Sequence, residues 1–186
     1  MHDIFSIIVG YLLGSVPFSY IVAKIWGVDL KKKVKDGHIG SGAVKKNCGL
    51  FPAILAGVGD LSKGALVLYL ARKISGQEWI IVLAGLAAII GHNWSIYLKF
   101  WGGKGALVTI GSLFYLLTIP FLIVLPLIIL FFLMKREEIF KMRKTSFFTG
   151  LGYILISIFS FIFRFPFAFS FSPIIFSLPM IFKKNP

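Results

Sequence analysis

The sequence has few of the residues that cross-link small domains or hold metal ions. Its 186 residues include one cysteine, Cys48, and three histidines, His2, His38 and His92. A single thiol cannot form an internal disulfide, and the histidines lack the spacing of metal ligands. We therefore predict no internal disulfide, no metal site and no other cofactor.

Charged residues are also scarce, and acidic residues most of all. Only 15% of the residues are charged, 7 of them are Asp or Glu, and 58% are hydrophobic. A soluble domain averages about 45–50% apolar and about 25% charged residues. A water-soluble fold would expose much of this apolar surface, so the composition indicates a membrane protein.

The positive charge of the chain lies between its apolar runs. The formal net charge is +13, which in a soluble protein would suggest nucleic acid as a partner. No basic-aromatic recognition module is present, and lysines that flank apolar runs are typical topology signals and lipid contacts. We predict membrane lipid as a partner and no nucleic acid.

The apolar runs predict an all-α polytopic membrane protein with a single domain over residues 1–186. Residues 106–134 form an uncharged run that is long for one crossing of about 20 residues and short for two. Pro120 and Pro126 interrupt this run, and we interpret it as two short crossings. The seven predicted spans are residues 4–26, 50–71, 79–98, 105–118, 120–134, 147–163 and 165–182.

The distribution of Lys and Arg predicts the orientation of these spans. The loops at 28–49, 99–104 and 135–146 and the C-terminal residues hold 6, 2, 5 and 2 of them, whereas the alternate loops hold only Arg72, Lys73 and Arg164. Short cytoplasmic loops carry the excess of Lys and Arg. We therefore expect the N-terminus outside and the C-terminus inside. The first run opens with Asp3 and has no A-x-A cleavage pattern, so we expect it to be a retained span rather than a signal peptide.

Two predicted inside loops combine glycine with lysine. In the first, Gly40, Ser41 and Gly42 precede Lys45, Lys46 and Asn47; in the second, Gly102 and Gly103 precede Lys104. Glycines let backbone amides approach an anion closely, and a helix start adds free N–H groups. These loops are candidate phosphate sites, with a flexible lipid-binding loop and a plain interfacial turn as the respective alternatives.

Three ionisable residues lie within predicted spans. His92 stands near the inner end of the third span, where it is a candidate for proton transfer or for an interhelical hydrogen bond. Asp60 and Lys63, spaced i,i+3 in the second span, share a helix face and can pair. This pair is either structural or part of the lining of a site.

Four stretches resemble the bacterial acyl-phosphate:glycerol-3-phosphate acyltransferases of the PlsY type. The stretch Y-L-L-G-S-V-P-F at 11–18 is similar to the opening Y-L-L-G-S-I-P-F of that family. The others are G-S-G at 40–42, D-L-S-K-G at 60–64, and the run from Gly91 and His92 through Phe100 to G-G-K-G at 102–105. The last run keeps every spacing of the family pattern G-H-x-x-P-x-x-x-x-F-x-G-G-K-G.

The resemblance implies a seven-span inner-membrane enzyme with its active site on the cytoplasmic side. Such an enzyme moves a fatty acyl group from acyl phosphate to the 1-hydroxyl of glycerol 3-phosphate and makes lysophosphatidic acid for phospholipid biosynthesis. It also implies that Ser41 and His92 act at the reacting centre and that Gly102, Gly103 and Lys104 hold phosphate. Either His92 or a substrate phosphate oxygen would accept the hydroxyl proton.

Several positions depart from the family pattern. Ala43 and Val44 begin the stretch that replaces N-x-G-A-T-N, Ser95 replaces a proline, and the residues after 182 lack the family's H-R-x-N. Lys45 and Lys46 are candidate replacements for the lost phosphate contacts. Two alternatives follow: a non-catalytic relative that binds lipid or acyl phosphate as a scaffold, and a small transporter that uses Asp60 and Lys63.

Overall fold

The computed structural model describes residues 1–34, 37–134 and 145–182. Part of the predicted basic loop, residues 135–144, lies outside the described residues, as do Lys35 and the C-terminal residues 183–186. Within the described ranges, the chain is helical with one isolated backbone bridge between His38 and Gly102 and no strand. The all-helical class predicted from the sequence is therefore confirmed for this part of the chain.

Ten α-helices and one 3-10 turn at Ile96–Leu98 make up the described fold. The α-helices, numbered in chain order, are α1 His2–Ser15, α2 Phe18–Ile25, α3 Leu30–Lys33, α4 Ser41–Cys48, α5 Leu50–Ile74, α6 Glu78–Asn93, α7 Ala106–Leu116, α8 Thr118–Met134, α9 Thr145–Ile162 and α10 Phe167–Phe182. By length and composition, three segments of the described chain suffice to cross a membrane: His2–Ile25, Leu50–Ile74 and Glu78–Leu98.

The first predicted span is divided into two helices. The prediction of one span over 4–26 missed the interruption at Val16 and Pro17, where Val16 takes an extended ψ of 116°. Proline has no N–H and disfavours the helical conformation of the preceding residue. The amide of Tyr20 therefore bonds to the carbonyl of Pro17, and the Val16 carbonyl is left without the regular helical partner.

The predicted glycine-lysine loop at 40–47 is mostly a helix. Gly40 is extended, α4 begins at Ser41, and it ends before Gly49, whose φ of 96° favours glycine. Val44 is fully buried in an apolar cluster that α4 shares with α2, α3 and the start of α5. The glycines of this segment led us to predict a loop. The segment is helical because the helix buries Val44 against its neighbours.

The long uncharged run contains two helices, whose junction lies at Leu117. Pro120 falls in the first turn of α8, where a missing N–H breaks no helical bond. Pro126 lies inside α8 without ending it. The hydroxyl of Thr118 donates to the carbonyl of Phe114 at 2.7 Å. This hydrogen bond gives a partner to one of the carbonyls at the end of α7.

Helices α1 and α6 pack with their backbones in close contact. A Cβ atom on Gly10 would lie 2.6 Å from the Ala84 carbonyl oxygen, and one on Gly14 would lie 2.2 Å from that of Ala88. Gly10 and Gly14 are spaced i,i+4, and this pattern of small residues lets two helices approach closely. The close packing of α1 on α6 sets the distance between their ends, and those ends border the site described below.

The bundle has two distinct ends. At one end, Asp3 in the first turn of α1 accepts hydrogen bonds from Ser75 and Gln77 between α5 and α6. At the other, the Tyr11 hydroxyl donates to the Trp94 carbonyl at 3.0 Å. The Asn93 amide donates to the carbonyl of Pro179 near the end of α10. We call this second end the site end, because it carries the glycine-lysine motifs.

Candidate active site

The two glycine-lysine motifs meet through their backbones at the site end. The amide of Ile39 donates to the carbonyl of Gly102 at 3.0 Å, and the amide of Gly102 donates to the carbonyl of Gly37 at 3.3 Å. This parallel pairing holds the start of α4 beside the segment that leads into α7. Segments more than 60 positions apart in the sequence thus form one structure.

The end of α6 joins the same structure. The amide of Gly103 donates to the carbonyl of His92 at 3.1 Å. A Cβ atom on Gly102 would lie 2.1 Å from that same oxygen, so only glycine permits this approach. The spacing from His92 to Gly103 therefore reflects a loop that returns to the helix end from which it started.

A cavity of about 220 Å³ lies between these elements. It is bordered by the start of α4, the end of α6, the middle of α5 and the start of α7. The lining residues are His38, Gly40, Ser41, Gly42, Ala43, Asp60, His92, Gly103, Lys104, Gly105, Ala106 and Leu107. A hydroxyl, an imidazole, an ammonium group and several glycine amides thus border one space.

Seven of the twelve residues singled out from the sequence line this cavity. They are Gly40, Ser41, Gly42, Asp60, His92, Gly103 and Lys104. The other five lie elsewhere: Lys45 and Lys46 are exposed on α4, Asn47 bonds to the Ala43 carbonyl, Gly102 forms the backbone bridge, and Lys63 is buried behind His92.

A buried ion pair supports the wall of the cavity. Lys63 Nζ lies 3.0 Å from Asp60 Oδ1, and both side chains are at most 3% exposed. Ser19 donates to the second Asp60 oxygen at 3.1 Å. The predicted pairing within α5 is confirmed, and it neutralises charges that would each cost about 2.5–3.5 kcal/mol unpaired within a membrane.

Ser95, which replaces a family proline, contributes two contacts that proline cannot make. Its hydroxyl donates to the Ser15 carbonyl at 2.6 Å, and its amide donates to the Trp101 carbonyl at 3.2 Å. These bonds tie the loop after α6 both to the end of α1 and to the segment before Gly102. The substitution thus keeps this loop in place with different interactions.

Sequence reasoning missed His38 as a cavity residue. It stands in a basic segment ahead of the first motif, yet it forms the backbone bridge to Gly102 and lines the cavity. Its position two residues before Gly40 was the available signal. No group of three or more His, Cys, Asp or Glu residues capable of holding a metal ion occurs in the described ranges.

Comparisons with known proteins place this geometry in one family. The family model described as "Glycerol-3-phosphate acyltransferase" matches residues 4–185. A glycerol-3-phosphate acyltransferase of Carboxydothermus hydrogenoformans is 41% identical over 111 residues, which are 59% of this chain and 56% of the relative. Glycerol-3-phosphate acyltransferase 4 of Dehalococcoides mccartyi is 31% identical over 156 residues, or 82% of this chain and 64% of the relative.

A solved structure shares the fold over nearly the whole chain. It is a crystal structure of PlsY (YgiH), an integral membrane glycerol 3-phosphate acyltransferase, in its glycerol 3-phosphate form. The match has a TM-score of 0.79 and 28% identity, and it covers 98% of this chain and 88% of the other. The matches to the curated relatives span less of their length, about 56% for Carboxydothermus hydrogenoformans. With its family motifs, its helical bundle and this match, the chain belongs to the glycerol-3-phosphate acyltransferase family of PlsY-type integral membrane proteins.

Proposed function

We propose that this protein transfers a fatty acyl group from acyl phosphate to the 1-hydroxyl of glycerol 3-phosphate. The products are lysophosphatidic acid and inorganic phosphate. The observation that carries the proposal is the single cavity that Ser41, His92 and Lys104 line together with glycine amides. Two phosphorylated substrates need such a set of anion-binding groups beside a group that can assist the reaction.

The phosphate groups are bound by backbone and charge together in this proposal. The starts of α4 and α7 direct free N–H groups and the positive ends of their helix dipoles toward the cavity. Lys104 adds a mobile ammonium group at its border. Lys45, Lys46 and Asn47 lie outside the cavity lining, so any role in substrate binding would be at its entrance.

The reaction itself needs little help, because acyl phosphate is already activated. The hydroxyl oxygen of glycerol 3-phosphate attacks the acyl carbonyl carbon, and an ester C–O bond forms. The bond from that carbon to the phosphate oxygen then breaks. The hydroxyl proton passes to His92 or to a phosphate oxygen, and Ser41 orients the substrate. A covalent acyl-Ser41 intermediate is the alternative course, but direct transfer requires fewer steps.

The position of the cavity favours an enzyme over the two alternatives. It lies at one end of the described bundle, as expected for a site that receives a lipid-borne donor and a soluble acceptor. A transporter needs a path through the bundle, and Asp60 and Lys63 are instead paired and buried. A scaffold that only binds acyl phosphate would keep the cavity but form no lysophosphatidic acid.

Loss of Lys104 is the first test of this function. Purified protein in detergent is supplied with acyl phosphate and labelled glycerol 3-phosphate, and labelled lysophosphatidic acid is measured. Hydrogen bonds to charged groups contribute about 1.5–3 kcal/mol, so Lys104→Ala should lower kcat/KM about 10- to 100-fold. Lys32→Ala, which removes an exposed lysine of α3, should change it little. No product from the wild-type protein would favour the scaffold.

We also propose seven crossings in the bacterial inner membrane, with the site end in the cytoplasm and the N-terminus outside. The excess of Lys and Arg in the loops at the site end supports this orientation. So does the chain path, because α1 begins beside the loop that joins α5 and α6. The cytoplasm is also where a soluble glycerol phosphate acceptor would be met.

Single cysteines test this orientation. In a Cys48→Ser background, Lys46→Cys places an exposed thiol at the site end, and Gln77→Cys places one at the opposite end. A membrane-impermeant thiol reagent should label Gln77→Cys in intact spheroplasts and Lys46→Cys only in inverted vesicles. The reverse pattern would place the cavity outside the cell.

A further inference from the structure

Three polar atoms surround the ammonium group of Lys63. Its Nζ lies 2.7 Å from the Val16 carbonyl oxygen, 2.9 Å from His92 Nδ1 and 3.0 Å from Asp60 Oδ1. A lysine ammonium has three N–H donors and no acceptor. Two of these contacts are hydrogen bonds, to Val16 and to His92, and the third is the ion pair with Asp60.

The first acceptor exists because of the helix break at Pro17. The Val16 carbonyl has no partner from Tyr20, whose amide bonds to Pro17 instead; it accepts from the Phe18 amide at 3.1 Å and keeps room for a second donor. The carbonyl can only accept hydrogen bonds, so it takes one N–H of Lys63, whereas Asp60 Oδ1 is the ion-pair partner of the ammonium group. Another N–H of Lys63 is directed at His92 Nδ1.

This donor fixes the hydrogen on the imidazole ring. A charged Lys63 has no acceptor to offer, so its contact requires Nδ1 of His92 to accept, and Nδ1 can accept only when it carries no hydrogen. A neutral imidazole has one N–H and one bare nitrogen. The hydrogen of His92 is then on Nε2. Asp60 Oδ1 lies farther from Nδ1, at 3.5 Å, so the lysine contact is the shorter of the two.

The Nε2 atom is the part of His92 that meets the cavity wall. A Cβ atom on Gly103 would lie 2.2 Å from Nε2, so this nitrogen rests against the backbone of Gly103. His92 and Gly103 both line the cavity, whereas Nδ1 is directed back toward the buried pair. In the Nε2–H form, the hydrogen of His92 thus lies on the side of the ring that faces Gly103 in the cavity lining.

We propose that Lys63 is a positioning residue that holds His92 in its Nε2–H form, so that His92 donates a hydrogen bond to the substrate rather than accepting its proton. This deepens the proposed acyl transfer and rests on it. As the hydroxyl oxygen bonds to the acyl carbonyl carbon, negative charge develops on the carbonyl oxygen. A fixed donor at that position stabilises this charge. When the carbon–oxygen bond to phosphate breaks, the hydroxyl proton leaves on the departing phosphate.

The hydrogen position can be measured without any reaction. Protein labelled with ¹⁵N-histidine in lipid bilayers gives separate nitrogen signals for the protonated and bare ring positions, and His92→Gln identifies the signals of His92. We expect a bare, hydrogen-bonded Nδ1 and a protonated Nε2 at pH 8. An Nδ1–H form, or a ring protonated at both nitrogens, would overturn the proposal.

The role of Lys63 is tested in the double variant Asp60→Asn/Lys63→Met, which removes both charges and so leaves neither one buried alone. The signals of His92 should then become a mixture of the two neutral forms. If His92 keeps a pure Nε2–H form there, Lys63 does not set it. Because this measurement needs no turnover, it decides the proposal even if the wild-type protein proves inactive.

Kinetics separate a donor from a base. Glutamine places an amide N–H near the position of Nε2 but cannot accept a proton as a base, so His92→Gln should retain a kcat about 10-fold above that of His92→Ala. Equal activities of the two variants would contradict the donor role. His92→Asn is the control for the reach of the glutamine amide. Its shorter amide reaches only the position of Nδ1, so the kcat of His92→Asn should match that of His92→Ala.

Discussion

His92→Ala is expected to lower kcat for acyl transfer by at least about 10²-fold. A positioned acid or base contributes about 10²–10⁴-fold, and one donor to a developing oxyanion contributes about 10²–10³-fold. The expectation therefore holds for either role of the imidazole. The assay is the formation of labelled lysophosphatidic acid from acyl phosphate and glycerol 3-phosphate. KM for glycerol 3-phosphate should change much less than kcat, because the phosphate contacts remain.

The control for this variant is its folding. Alanine leaves a space beside the cavity and one N–H of Lys63 without its imidazole partner, and water from the cavity can occupy both. The thermal unfolding midpoint in detergent should therefore stay within a few degrees of the wild-type value. Full activity in His92→Ala would remove His92 from the chemistry, although membership of the family would stand.

Gly103→Ala should lower kcat about as much as the loss of His92 does. The added Cβ would lie 2.2 Å from His92 Nε2 and 3.0 Å from Cε1. The ring must move by about 1 Å to restore an ordinary contact, and a misplacement of that size can cost about 10²-fold in rate. Its bond to Lys63 opposes that movement, so we expect the ring to lose its productive position.

A matched substitution in the adjoining segment isolates this effect. Gly40→Ala also adds a methyl group at the cavity, but its Cβ would meet only the Gly103 Cα, at an ordinary 3.8 Å. Its φ of −133° suits alanine. We expect at most a few-fold loss of kcat for Gly40→Ala. Similar losses in both variants would show that the cavity is sensitive to added volume in general, and that the contact of Gly103 with His92 has no special effect.

The sequence predicted most of the helical segments because hydropathy is a local property. The run at 50–71 lies within α5. The run at 79–98 lies within the segment Glu78–Leu98. Boundaries were less accurate where a single residue decides them. The residues on both sides of Pro17 are apolar. Hydropathy alone therefore predicted one continuous span, although the proline was visible in the sequence.

Part of the candidate site was predicted because its motifs are also local in the sequence. Ser41, His92 and Lys104 were found from local motifs, and the structure brings them to one cavity. Lys45 and Lys46 belong to an equally basic motif, yet α4 turns them to the exposed side. Which face of a short helix is buried depends on what packs against it. In α4 the buried face is the one that carries Val44.

The amino-acid sequence by itself determined that this chain is helical and membrane-embedded, and which segments carry its polar chemistry. Only the tertiary structure decided what those groups contact. Lys63 and His92 stand 29 positions apart, and their 2.9 Å contact depends on how closely helices α1, α5 and α6 pack. That distance is set by glycines whose missing side chains let backbones touch, and no local pattern states which backbone each of them will meet.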